Sequence, residues 1–158
     1  QGVQRAERQA EEDATGGFLR TTRPDGNAFA LATEQASAGR FSGNFQTVYG
    51  GRGVTISFRV RSQDAAALTQ VELFARDIAQ WSYDKLPAPG KQWTAASVTL
   101  RYDWTDDQAR AAGWRPAIHA FSWRETIQNV GKVVVGPLFQ GQPSSFDLDD
   151  FTMRTAAD

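Results

Sequence analysis

Three aspartates, Asp147, Asp149 and Asp150, stand inside the stretch SSFDLDDFTMR, residues 144–154. Aspartate is a poor strand former, yet Phe146, Leu148, Phe151 and Met153 surround the three with strand-like apolar character. The apolar parity changes partway, from even at Phe146 and Leu148 to odd at Phe151 and Met153. A strict period of two therefore places Asp149 on the face of Phe151 and Met153. An ionised carboxylate on the inner side of a sheet is costly unless it is paired or metal-bound. The other reading is a bulge at Asp149–Asp150, which turns both carboxylates to solvent or to an arginine.

Aromatic residues are the second chemical feature. In IAQWSYDK, residues 78–85, Trp81 and Tyr83 alternate onto one face beside Arg76 and Asp84. Sugar rings stack their C–H faces on flat aromatics while flanking polar side chains take the hydroxyls, and few such groups make a site. Trp104 and Trp114 bracket a short helical segment and extend the candidate surface, so the ligand-binding set is Trp81, Tyr83, Trp104, Trp114 and Arg76. Large aromatics also pack cores and strand edges, which is their commoner fate. Exposure separates the two readings. A sugar surface needs at least two of these aromatics open on one face, and burial of all four favours assembly contacts. Tyr49, before Gly50 and Gly51, reads as a turn anchor.

Enzyme chemistry finds little footing. His119 is the only histidine and there is no cysteine, which excludes histidine clusters, thiolate sites and disulfides. No nucleophile-elbow motif occurs. Although 18 acidic residues are present, nothing singles out two of them as a glycosidase pair.

The elements that must hold these residues are mostly strands. The segment GRGVTISFRVRS, residues 51–62, sets Val54, Ile56, Phe58 and Val60 against Thr55, Ser57, Arg59 and Arg61, a half-buried strand. Residues 68–77 place Val71, Leu73 and Ala75 on one face and Glu72, Phe74 and Arg76 on the other. Further strands are expected at GGFLRTT, NAFALAT, WTAASVTLRY and KVVVGPLF, and the turn RPDG separates the first two. Two helices are expected in connections, near residues 105–112 and 122–129. The first has Thr105 or Asp106 as cap and Gly113 as stop, and the second has a Ser122–Glu125 capping box. Residues 1–15, rich in Gln, Glu, Arg and Ala, read as a polar helical or flexible leader, with the sandwich domain over residues 16–158.

Composition bounds the partners. A chain of 158 residues with 41% hydrophobic content suits one domain. Its 17 basic and 18 acidic residues leave a formal charge of −1, so nucleic acid is not an expected partner. No apolar run approaches the ~20 residues of a membrane span, and membrane insertion is not expected.

In order, GGFLRTT (16–22), VYGGRGVTISFRVRS (48–62), KQWTAASVTL (91–100), GW (113–114), ETIQNVGKVVVG (125–136) and FDLDDFTM (146–153) resemble the laminin IV (laminin B) domain. They are similar also to the wider group of galactose-binding-like, jelly-roll carbohydrate-binding modules. The resemblance covers about residues 16 to 154. It implies an all-β jelly-roll sandwich of antiparallel strands, a structural role for Trp93, and a structural calcium held through Asp149. Asp25 and Glu34 are the candidate partner ligands in the early loops. Members usually begin with a further strand before the Gly-Gly, where this chain has its polar leader. The edge at GGFLRTT is then open for a homo-oligomer, or is covered by the chain itself. The functional expectation is a non-catalytic extracellular or cell-surface module that binds a glycan. The alternative is a structural or adhesive module acting through a neighbouring protein chain.

Overall fold

The clean alternation of residues 51–62 becomes a strand in the computed structural model, which describes residues 5–10, 17–23, 31–32, 45–63, 68–76, 78–138 and 144–156. Within these residues the chain order is β1 (Arg5–Ala10), β2 (Gly17–Arg23), β3 (Leu31–Ala32), α1 (Phe45–Tyr49), β4 (Gly53–Arg61) and β5 (Leu68–Ala75). It continues with β6 (Ile78–Tyr83), β7 (Thr94–Arg101), α2 (Asp106–Ala112), β8 (Trp114–Pro116), α3 (Trp123–Asn129), β9 (Val130–Leu138) and β10 (Ser144–Thr155). Two five-stranded sheets result, ordered β1-β2-β10-β4-β7 and β3-β9-β5-β6-β8, with every recorded pairing antiparallel. This is the expected jelly-roll β-sandwich. Of the segment NAFALAT, only Leu31 and Ala32 lie within the described residues.

The core sits between the sheets because the period of two puts one face of each strand there. Val54, Ile56, Phe58 and Val60 of β4 are buried, as are Val98 and Leu100 of β7 and Phe146 and Leu148 of β10. Val71 and Leu73 of β5 and Val133 and Val135 of β9 close on them from the other sheet.

Both expected helices form where their caps place them. Thr105 and Ser122 each accept from the backbone N–H three residues on, and Gln108 and Glu125 return the bond to the cap. Gly113 ends α2 at φ 111°, and a Cβ there would lie 2.8 Å from the Tyr83 ring. Glycine is needed on both counts. The one-turn helix α1, closed by Gly50 at φ 70° with its N–H on the Gln46 carbonyl, has no periodic apolar stripe and was not expected.

The N-terminal leader is corrected. Arg5–Ala10 is a strand, paired with β2 from Arg5↔Thr22 to Ala10↔Gly17. Helix propensity is a weak prior, and a short helix without an apolar stripe is marginal. Pairing with an open sheet edge instead satisfies a row of backbone groups, and charged residues suit the outermost strand. The sandwich thus begins within residues 1–15, and of the two expectations for the β2 edge, open or covered by the chain itself, the second holds, with β1 as the cover.

Deleting residues 1–10 should uncover that edge. The expected outcome is a lower melting temperature and stronger concentration-dependent light scattering than the full chain shows. Equal melting and scattering would mean that β1 pairing contributes nothing to stability or solubility.

Candidate functional site

The question raised by the three aspartates is resolved by register. Asp149 pairs with Arg59 and Thr152 with Ser57, so Asp150 and Phe151 together face Phe58 across a bulge. Asp150 takes φ 52°, and the extra residue turns Phe151 inward, where its ring stacks 6.4 Å from that of Phe58. The carboxylates lie on the opposite face among arginines. Asp149 accepts from Arg59 at 2.6 Å, Asp150 pairs with Arg59 Nε at 2.7 Å, and Asp147 with Arg61 Nε at 2.7 Å. Trp93 stacks on this layer, its ring centroid 4.3 Å from the Arg61 guanidinium carbon and 5.1 Å from that of Arg59. Such cation–π contacts suit the structural role expected of Trp93.

Asp149, the expected calcium ligand, is engaged by an arginine instead. Calcium takes six to eight oxygens, whereas the Asp149 carboxylate is held by a guanidinium. Among the described residues no group of three or more histidine, aspartate or glutamate side chains converges. Asp25 and Glu34 lie outside the described residues.

The aromatic set divides. Trp81 is 1% exposed and Trp114 0%, so neither offers a face to a ligand. Register explains the first: Trp81 lies opposite Leu73, an inward position of β5. Tyr83, opposite Val71, packs against Trp114 at 5.5 Å and is half-buried. Arg76, at a positive-φ turn after β5, is exposed and sets its guanidinium over Phe121 at 4.9 Å. Trp81, Trp114 and Arg76 are therefore not part of a shared open surface.

Trp123, which drew no attention in the sequence, is the hub of the cluster. Its ring lies 5.2 Å from Trp81, 5.2 Å from Trp114 and 5.7 Å from Trp104. The signal was available: Trp123, Thr126 and Ile127 are the buried positions of α3, spaced i, i+3, i+4 directly after the capping serine. Each buried indole N–H finds a carbonyl: Trp81 to Phe121 at 2.8 Å, Trp114 to Thr99 at 3.3 Å and Trp123 to Arg101 at 2.7 Å.

Trp104 differs. It is half-buried, rests on Trp123, and among the described residues its indole N–H has no hydrogen-bond partner. It lines a cleft of about 440 Å³ together with Gln46 of α1, Asp103, Asp106 at the start of α2, and Arg124 and Gln128 of α3. Thr105 and the buried Tyr102 and Ile127 complete the lining among the described residues. Tyr102 is fixed by its hydroxyl, which donates to the Phe45 carbonyl at 3.0 Å, and burial pushes its pKa up to about 12. Asp106 Oδ1 accepts from the Trp123 backbone N–H at 2.8 Å and so ties α2 to α3. Neither Asp103 nor Arg124 has an ion-pair partner among the described residues. The cleft thus presents a flat aromatic with a spare donor, carboxylate acceptors, a guanidinium and two amides.

A second polar feature lies on the face of β5 opposite the core. Glu72 falls in one cross-strand row with Val134 and Ser82, and Gln70 Nε2 donates to its carboxylate at 3.2 Å. Burial holds the Glu72 pKa above its ordinary value, with the Gln70 bond acting in the opposite direction.

No protein-family model and no curated protein matches the sequence. Solved structures do match. The chain is similar to the Family 11 carbohydrate-binding module of a cellulosomal cellulase of Clostridium thermocellum, at 9% identity over 99% of this chain and 84% of that one, TM-score 0.55. A structure of a Family 11 module from the same organism, in complex with a β-1,3-1,4-mixed-linked tetrasaccharide, matches at 8% identity over 99% and 85%, TM-score 0.57. An exo-β-agarase matches at 8% identity and TM-score 0.59, over 99% of this chain but 23% of that chain. At these identities the likeness shows the fold: the jelly-roll β-sandwich of carbohydrate-binding modules.

Two outcomes follow from the carboxylates. Adding EDTA should leave the melting temperature unchanged, and a fall would reinstate a metal at Asp149. The second concerns Glu72, whose folded-state pKa is raised, so the folded state favours the neutral acid. That contribution is present below the ordinary value of 4.5 and is lost as pH rises through the folded value. Glu72→Gln should therefore be more stable than the parent at neutral pH, with the gain vanishing below pH 4.5 in denaturant titrations.

Proposed function

We propose that the chain is a non-catalytic, carbohydrate-binding-like module that works outside the cell and holds sugar in the Trp104 cleft. The observation that carries this reading is the half-buried Trp104, its indole N–H without a partner among the described residues, set among amide, carboxylate and guanidinium groups. A pyranose offers that arrangement an apolar C–H face and hydroxyls that both donate and accept. The jelly-roll likeness to carbohydrate-binding modules supports it. A non-catalytic role is supported by the exposure of His119 and by the commitment of Asp106 to the Trp123 backbone. Extracellular placement draws on the laminin IV-like order of segments and on the cellulosomal neighbour. No helix among the described residues is long and apolar enough to cross a membrane.

The alternative, a structural or adhesive module acting on a neighbouring chain, draws on the laminin IV resemblance and would be favoured by an open β2 edge and by burial of all four aromatics. The edge is paired with β1 and Trp104 is not buried, so that reading has the weaker support.

Calorimetric titration of the full chain with soluble polysaccharides tests the proposal, with Trp104→Ala as the decisive variant. Loss of the ring should weaken binding at least about tenfold, or ~1.4 kcal/mol, with an unchanged fold by circular dichroism. Trp104→Tyr should retain part of the affinity. Trp81→Ala is unsuitable as a probe, because emptying that buried site should cost about 3–5 kcal/mol of stability. Full affinity in Trp104→Ala would remove the cleft from the reading.

A further inference from the structure

Resting on the cleft as a sugar site, we infer that it takes the end of a neutral glycan chain, one or two rings, and not an internal stretch of a long polysaccharide. The first argument is enclosure. Helix α3 lines the cleft through Arg124, Ile127 and Gln128, and Gln46 of α1 and Asp106 of α2 line it as well. Both α1 and α2 touch α3, so the three helices stand together beside the cleft. Its volume of about 440 Å³ lies at the small end of the range for ligand pockets, roughly 300–1,000 Å³.

The second argument is the number of stacking surfaces. An extended chain needs aromatic or apolar contacts repeated along its length, whereas Trp104 is the one tryptophan that lines the cleft among the described residues. Trp81, Trp114 and Trp123 lie beneath the surface with their N–H groups bonded. One ring can rest on Trp104, and a second can reach the rim.

The walls are set before a ligand arrives. Asp106 bonds across to the first residue of α3, both helix starts carry reciprocal caps, and the Tyr102 hydroxyl is tied to α1. A prebuilt pocket avoids the ordering cost of closing around a chain. Charge narrows the ligand further. Asp103 and Asp106 face one guanidinium, Arg124, so a uronate or sulfated terminus meets net repulsion while neutral hydroxyls find donors and acceptors.

The test is an array of neutral, acidic and amino glycans, each immobilised through its reducing end and probed with the full chain. Calorimetry on free mono-, di- and tetrasaccharides of the best hit then gives the length dependence. The expected result is a set of hits that share a neutral non-reducing terminal residue whatever the sequence behind it. The disaccharide should bind within about threefold of the tetrasaccharide, and Trp104→Ala should abolish every hit. Hits grouped by internal repeat, affinity climbing with each added ring, or a preference for acidic termini would overturn the inference while leaving a Trp104-dependent site in place. Hits that survive in Trp104→Ala would move the site elsewhere and defeat both readings. So would the absence of any hit with the parent chain.

Discussion

The indole N–H groups of Trp114 and Trp123 hold the two layers of the sandwich together. β7 is an edge strand, and the carbonyls of Thr99 and Arg101 on it accept these indoles where a sheet interior would supply another strand. Trp114 belongs to the edge strand of the opposite sheet, so its bond crosses between layers, and Trp123 brings α3 into the same contact. A buried carbonyl left without a partner costs about 1–3 kcal/mol, and loss of an indole from this packing would add a cavity. The position of α3, and with it the α3 lining of the Trp104 cleft, depends on this fastening. So does protection of that stretch of β7 from pairing with another chain.

A different device orders the outer face of the first sheet. Asp147 of β10 lies opposite Arg61 of β4, and Asp149 lies opposite Arg59. Asp147 and Arg61 form a mostly buried pair, and Trp93 stacks on the guanidinium. A carboxylate that is 3% exposed is tolerable because its arginine is bonded to it directly. The bulge at Asp150 lets one strand serve both this ladder and the core, since it reverses the parity of the apolar residues without reversing that of Asp147 and Asp149.

Much of this was legible in the residues, and the remainder has identifiable physical causes. Val54 to Val60 declared their strand because a half-buried sheet imposes a period of two on side chains. Thr105 and Ser122 declared helix starts because capping is local chemistry. The parity change in β10 carried the bulge, but its arginines lie 86 and 90 residues away in sequence, a distance no local pattern spans. β1 escaped because an edge strand is recruited through its backbone, which leaves little trace in side-chain types. Trp81 and Trp104 could not be ranked for exposure from their own neighbours: register against β5 buries the first, and the Trp123 ring supports the second from one side.

One consequence concerns how such a module can change over generations. Three tryptophans of the cluster are fastened by both ring and N–H, while Trp104 touches the cluster through its ring alone. Residues around Trp104, including Asp103, Arg124 and Gln128, are set on turns and helix surfaces rather than in the sandwich core. Substitution there alters the lining of the cleft without loosening the bonds that join the sheets. The lining of the cleft and the fastening of the sheets are therefore separable in this chain, so the one can vary on an unchanged scaffold.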